Sequence, residues 1–319
     1  MSGADQSATP RISIVVAMYN EEAAIDAFFA DVDRAAARLP FAVEYVCVND
    51  GSRDGTLAKL LARQSADKRI RIVDLARNFG KEAAMTAGLA HAQGDAVIVI
   101  DADLQDPPEL IEQFVAKWRE GFEVVYGIRA SRASDSFAKR VTASAFYKLF
   151  NRITSVPIPP DAGDFRLLDR KVVDALLAFP ERNRFMKGLF AWVGFKQTGV
   201  PFTRRPRVQG KTSWNYWKLV NFAIDGVTGF STVPLRVWSV LGALVSLIGF
   251  AYAIFLIVRT IAFGVDVPGY ASIMVTVLFL GGVQLLCLGM LGEYLGRLYM
   301  EAKGRPIYIV SRIYEDKTP

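Results

Sequence analysis

The chain has 319 residues, 52% of them hydrophobic, a formal net charge of +6 and a single histidine. At about 100–200 residues per domain, that length holds one sizeable globular domain with chain to spare. Its two cysteines, Cys47 and Cys287, exclude a disulfide framework or a cysteine metal cluster, and the modest positive charge suits a membrane surface rather than nucleic acid.

Residues 1–10 are polar and read as a flexible N-terminus, lacking the apolar run of a cleavable signal. From 11 to about 127, short β-rich runs alternate with helical stretches, the pattern of βαβ units and a mainly parallel sheet. The runs at 12–17, 43–49, 70–75, 96–100 and 123–126 predict strands, each apolar enough to be covered on both faces. Helices are expected near Glu22, Gly55, Lys81 and Pro107, with Pro107 and Pro108 in a first turn, where a missing N–H is tolerated. Polar residues collect where strands end: Tyr19-Asn20-Glu21, Asn49-Asp50-Gly51-Ser52 and Asp101-Ala102-Asp103. Each cluster alone is ordinary turn and cap chemistry. Together they predict one site, because ligands of open α/β sheets gather outside the carboxyl ends of the strands.

The segments 134–152 and 214–230 are rich in Lys, Arg and aromatics and resemble amphipathic helices lying on a membrane, with ordinary surface helices the other reading. From 237 to 258 and from 267 to 292 no Asp, Glu, Lys or Arg occurs. Each run is long enough to cross the ~30 Å hydrocarbon core as a helix, which predicts spans at about 237–260 and 268–292. The short connection between them puts both flanks on one side. Arg236 before the first span, and Arg297, Lys303, Arg305 and Arg312 after the second, assign that side to the cytoplasm. The expected organisation is a cytoplasmic domain over 11–212, an interfacial helix over 213–235, two spans within 236–298 and a cytoplasmic tail over 299–319.

Asp101 and Asp103 are the strongest chemical signal: two carboxylates one residue apart at the end of an apolar strand. Oxygen donors of this kind suit Mg2+ or Mn2+ on a diphosphate, since these hard cations keep octahedral oxygen shells. At this point the chain resembles the family 2 glycosyltransferases of the GT-A fold, in the polyprenyl-phosphate branch that includes dolichol-phosphate mannose synthase and bactoprenol glucosyltransferase. The residues that carry the likeness are 15–22 (VVAMYNEE), 49–56 (NDGSRDGT), 77–82 (RNFGKE), 101–108 (DADLQDPP) and 163–167 (GDFRL), and the match extends over nearly the whole chain.

That resemblance implies a Rossmann-like GT-A domain followed by a two-helix membrane hairpin. It implies an inverting, metal-dependent transfer from a nucleotide sugar, taken as UDP-glucose, to undecaprenyl or dolichyl phosphate. The product would serve lipopolysaccharide, O-antigen or wall modification. By the same resemblance Tyr19, Asn20, Glu21, Asp50, Asp101 and Ala102 line the nucleotide site, Asp101, Asp103 and Gln105 hold the metal, and Asp103 counts with Asp164 as catalytic. Lys81 faces the diphosphate or merely solvates the start of its helix. Arg207 and Lys211 belong to a segment that folds over the diphosphate, where Ser213 stands in place of a common Lys. Arg129, Arg140 and Ser144 take the lipid phosphate, with Arg132, Lys139 and Arg184 as alternatives. Asp164 is a catalytic base or a group that positions the acceptor. Similar enzymes form tetramers through such a hairpin. The rival readings are a processive polysaccharide synthase, whose Gln-x-x-Arg-Trp motif and additional spans do not appear here, and an inactive lipid-binding scaffold.

Overall fold

The structure of the protein, a computed structural model, describes residues 10–129, 152, 162–182, 184–203, 231, 233–264 and 269–315. Four apolar strands, β1 (Arg11–Met18), β2 (Ala42–Asn49), β3 (Ile70–Leu75) and β4 (Ala96–Val99), form the parallel centre of the sheet. They are joined by β5 (Val124–Arg129), β6 (Ala162–Asp169), β7 (Gln197–Phe202) and β8 (Val310–Tyr314) in the order β7-β5-β6-β4-β1-β2-β3-β8. Side chains alternate across a strand, and the two faces bury separate clusters. Ile12, Ile14, Val16, Tyr45, Cys47 and Ile98 lie in the cluster that takes in Phe28, Leu60 and Phe114 of α1 (Ile25–Ala36), α2 (Thr56–Ala66) and α4 (Leu110–Arg119). Val15, Val46, Val48, Val97 and Val99 lie with side chains of α3 (Lys81–His91), α5 (Arg170–Ala178) and α6 (Met186–Trp192). Three layers result, with the sheet in the middle.

The strand order reverses at β1, which pairs with β2 on one side and β4 on the other, both parallel. Such a reversal opens a crevice at the carboxyl ends, because the crossovers on its two sides leave in opposite directions. The next strand outward, β6, runs antiparallel to β4, with Val99 opposite Arg166. Continuing that register by two residues sets Asp164 beside Asp101.

Several elements differ from the sequence expectation. The sheet is mixed, since β6 is antiparallel to both β4 and β5, and β8 to β3; β6, β7 and β8 lie outside the simple βαβ alternation. The first helix begins at Ile25 rather than near Glu22. The fourth begins at Leu110, and Pro107 and Pro108 form a tight turn ahead of it, their carbonyls accepting from Leu110 N–H at 3.1 Å and Ile111 N–H at 3.0 Å. The segment 134–151 and all of 214–230 lie outside the described residues.

Beyond the domain come two long helices, α7 (Val233–Phe263) and α8 (Tyr270–Ala302). Their 31 and 33 residues correspond to about 46 and 50 Å at 1.5 Å per residue. Both are long and apolar enough to cross a membrane, and most of the large apolar side chains described between Val237 and Leu298 are exposed, among them Val240, Ile261, Phe263 and Leu285. The second helix runs ten residues past 292, and this extension meets the domain. The Glu301 carboxylate accepts from Arg182 N–H at 3.0 Å, and Arg182 Nε donates to the Arg305 carbonyl at 2.7 Å. The chain then passes Ile309, whose carbonyl accepts from Ala76 N–H at 2.9 Å, and enters β8 beside β3. Because Val310 stands opposite Leu75, the last residue of β3, the hairpin joins the domain on the side where the strand-end clusters lie.

Candidate active site

The loops after β1 and β2 brace each other through side chains suited to turns. Asn20 adopts φ 55°, a left-handed conformation that Asn tolerates better than most residues. Its Oδ1 accepts from Arg53 N–H at 2.8 Å, and its own N–H donates to Ser52 Oγ at 3.0 Å. Glu21 N–H donates to Thr56 Oγ1 at 2.9 Å. This leaves Tyr19, 41% exposed, at the rim of the crevice. Gly51, at φ 63°, lies against the backbone of Arg77, where a Cβ would collide. Asp50 is buried, and its two carboxylate oxygens accept from Phe79 N–H at 2.7 Å and Gly80 N–H at 2.9 Å. Burial raises the Asp50 pKa, against the lowering effect of these two amides and of Arg77. The residue assigned to the nucleotide thus also ties the β2 loop to the β3 loop.

After β4 the chain makes a turn in which burial alternates. Asp101, Asp103 and Gln105 are half-buried, while Ala102 and Leu104 are buried in the core. Leu104 holds φ 53°, an uncommon conformation for a bulky residue, kept by surroundings that over-determine it. Anchoring the two apolar side chains inward turns the oxygen-bearing ones outward on one surface. Asp103 Oδ1 accepts from Gln105 N–H at 3.2 Å, which fixes the turn. Two carboxylates and an amide offer oxygen donors only, and no cluster of three His, Cys, Asp or Glu residues occurs among the described residues. That donor set fits a hard cation that completes its shell with water and substrate phosphate rather than an all-protein cage.

Lys81, the first residue of α3, joins this turn to β6. Its Nζ lies 2.8 Å from Asp101 and 2.5 Å from Asp164 Oδ2. Enclosure lowers the Lys81 pKa, but Asp164 and Asp101 more than offset that and hold it above the usual lysine value. Burial likewise opposes ionisation of Asp164, and the cations Lys187, Lys81 and Arg166 overcome it, so this carboxyl lies well below the usual carboxylate range. Arg166 is buried, its guanidinium 3.7 Å from the centre of the Phe190 ring and its Nη2 donating to the Gly163 carbonyl at 2.6 Å. Burial lowers it to about 10, against the opposing pull of Asp164 and Glu82. Beside Lys81, the Glu82 carboxylate accepts from Met186 N–H at 3.2 Å at the start of α6.

The crevice therefore brings together Tyr19, Asn20, Glu21, Asp50, Lys81, Asp101, Asp103, Gln105 and Asp164, which come from distant parts of the chain, whereas the Ala102 side chain turns into the core and leaves only its backbone toward them. Arg129 closes β5, and its Nε is buried without a hydrogen-bond partner among the described residues. Arg140, Ser144, Arg207, Lys211, Arg132 and Lys139 lie outside the described residues. Arg184 differs from the alternative role given it: its nitrogens donate to the carbonyls of Leu176, Phe179 and Glu181, which cap the end of α5. Sequence reasoning passed over Glu82, Lys187 and the bracing by Arg166. The signal available for Glu82 was its place directly after Lys81 at a helix start; Lys187 carries no local signal.

Residues 13–177 match the model of glycosyl transferase family 2, and residues 233–298 match that of the GtrB C-terminal hairpin. An uncharacterized glycosyltransferase of Synechocystis is 57% identical over 96% of each chain. A prophage-derived bactoprenol glucosyl transferase of Shigella flexneri is 47% identical over 95% of this chain and 98% of its own, and a prophage homologue of Escherichia coli 46% over 95% and 99%. With its strand-end crevice and the apolar two-helix hairpin that associates it with a membrane, the chain belongs to glycosyl transferase family 2.

Proposed function

We propose that this enzyme moves a hexose from a nucleoside diphosphate sugar, with UDP-glucose the first donor to test, to the phosphate of a polyprenyl carrier, inverting the anomeric carbon. The observation that carries the reading is Lys81 bridging Asp101 and Asp164 across the β1/β4 crevice, in a chain that relatives named bactoprenol glucosyl transferase match over nearly full length. In one displacement the acceptor phosphate oxygen bonds to the anomeric carbon. The bond from that carbon to the diphosphate breaks, and its electron pair leaves with the nucleoside diphosphate.

Tyr19, Asn20, Glu21, Asp50 and Ala102 line the nucleoside, and Arg207 and Lys211 cover the diphosphate. Asp101, Asp103 and Gln105 would hold Mg2+ or Mn2+, which when bound neutralises charge on the departing diphosphate. Arg129, Arg140 and Ser144 receive the lipid phosphate. A phosphomonoester has a second pKa of about 6, so at pH 7 the acceptor is mostly ionised without help. A carboxylate as acidic as Asp164 is in turn a weak proton acceptor. Both facts favour Asp164 as a positioning group that keeps Lys81 extended between the two carboxylates.

The hairpin crosses the cytoplasmic (inner) membrane twice, with the catalytic domain and both ends of the chain in the cytoplasm. Copies associate as a tetramer, and the lipid-linked sugar goes to lipopolysaccharide, O-antigen or wall modification. The test is incubation of the purified full chain with undecaprenyl phosphate, Mg2+ and a panel of UDP- and GDP-sugars, reading lipid-linked hexose by mass and nucleotide release in parallel. Nucleotide release without any lipid-linked product across the panel would refute the acceptor.

A further inference from the structure

The two oxygens of Asp164 have different partners. Oδ2 meets Lys81, already shared with Asp101, whereas Oδ1 faces Lys187 Nζ at 3.7 Å, beyond hydrogen-bond range. The Lys187 side chain is 24% exposed, and among the described residues no group takes up the three N–H donors of its ammonium. Its backbone is nevertheless fixed. Glu82 holds Met186 N–H at 3.2 Å, Met186 is buried, and Phe190, one turn along α6, lies under the guanidinium that grips the Gly163 carbonyl. The contacts that set Asp164 therefore also set the stem of Lys187.

An incoming phosphate brings a charge of about −1.5 to −2 to a place where Asp101 and Asp164 already carry negative charge. Its attacking oxygen must come within about 3–3.5 Å of the anomeric carbon. Lys81 is committed to two carboxylates, and among the described residues the cation on the Oδ1 side of Asp164 is Lys187, held only by the loose 3.7 Å pairing. We infer that Lys187 binds the acceptor phosphate, leaving its loose pairing with Asp164 when that phosphate arrives. This rests on the polyprenyl-phosphate reading above and adds to it a residue from α6.

The test uses the full chain in detergent with UDP-glucose and undecaprenyl phosphate, comparing Lys187→Gln and Lys187→Arg with the unsubstituted protein. Lys187→Gln raises the KM for undecaprenyl phosphate about 10-fold or more, the loss of one hydrogen bond to a charged group, and Lys187→Arg restores most of it. Donor Kd by calorimetry stays unchanged in both variants, and any fall in Tm in Lys187→Gln, where Asp164 loses a neighbouring cation, is restored by arginine. An unchanged lipid KM in Lys187→Gln would overturn the assignment. So would a parallel rise in donor Kd, which places Lys187 on the donor diphosphate, or a fall in Tm that arginine does not restore, which makes it structural. If the unsubstituted protein forms no lipid-linked sugar, the acceptor reading fails and this assignment with it.

Discussion

Ending the chain after Lys303 removes β8 while leaving both apolar helices and the Glu301 contact to Arg182 intact. Four residue pairs, from Ile72–Tyr314 to Leu75–Val310, set β8 against β3, and Ala76 N–H adds its bond to the Ile309 carbonyl. With each net backbone hydrogen bond worth about 1 kcal/mol, a ladder of this length contributes about 3–5 kcal/mol, against a typical total stability of ~5–15 kcal/mol. For a domain of this size, about 2–4 °C per kcal/mol puts the fall in Tm at about 10 °C. The effect extends to the donor pocket. Ala76 leads into the Arg77–Gly80 loop, whose amides hold Asp50 and whose backbone packs on Gly51. Thermal unfolding in detergent and calorimetric titration with the donor nucleotide check both consequences, and hydrogen exchange over residues 70–76 locates them. An unchanged Tm together with an unchanged donor Kd would refute the idea that the tail strand supports the site. Deleting everything after Thr232 removes the same strand, so a catalytic domain meant to stand alone needs β8 rejoined through a linker.

Asp101→Asn and Asp103→Asn lose most turnover with Tm within about 2 °C of the parent, because each removes charge from a half-exposed turn and little packing; activity at the parent's level in either variant would remove the metal assignment. Chelation reproduces both losses, and added Mg2+ or Mn2+ reverses it in the parent alone. Asp164→Asn lowers turnover by about 100-fold or more to the same extent at pH 6 and pH 8, as a positioning group does, whereas partial recovery at pH 8 would return the role of general base. The Glu82 carboxyl is pushed up to about 7 by burial and by Asp164, against Lys81, Met186 N–H and Lys187. The folded state therefore keeps that proton longer than the unfolded chain does, and stability falls as pH rises from the ordinary value of 4.5 to about 7. Glu82→Gln, which still accepts from Met186 N–H, gains Tm relative to the parent as pH goes from 5 to 8. A difference in Tm that stays constant with pH would contradict this.

Much of the architecture was legible because its signals are local. Runs such as 12–17 and 43–49 are apolar on both faces, which only a covered sheet accommodates, and the observed β1 and β2 agree with them within two residues. The grouping of Tyr19, Asp50 and Asp101 at one candidate site was legible because they follow strands whose carboxyl ends converge in any parallel sheet of this kind. The two apolar helices follow from the absence of charge over more than twenty residues. The start of α4 was misplaced by three residues because Pro107 and Pro108 suit a turn before a helix as well as its first turn.

Only the tertiary structure decided how these parts meet. Asp164 reaches Asp101 because β6 inserts antiparallel between β4 and β5, a pairing across more than sixty residues that leaves no period in the sequence. Lys81 bridges them because α3 starts at the crevice, and Lys187 joins them because Glu82 pins the first turn of α6. The last strand lies beside β3 although two long apolar helices precede it, since the edge of β3 needs backbone partners that β8 supplies whatever its side chains. Composition and periodicity report what each segment must bury. Which polar groups come to face each other is set by strand order and register, and those depend on contacts between residues far apart in the chain.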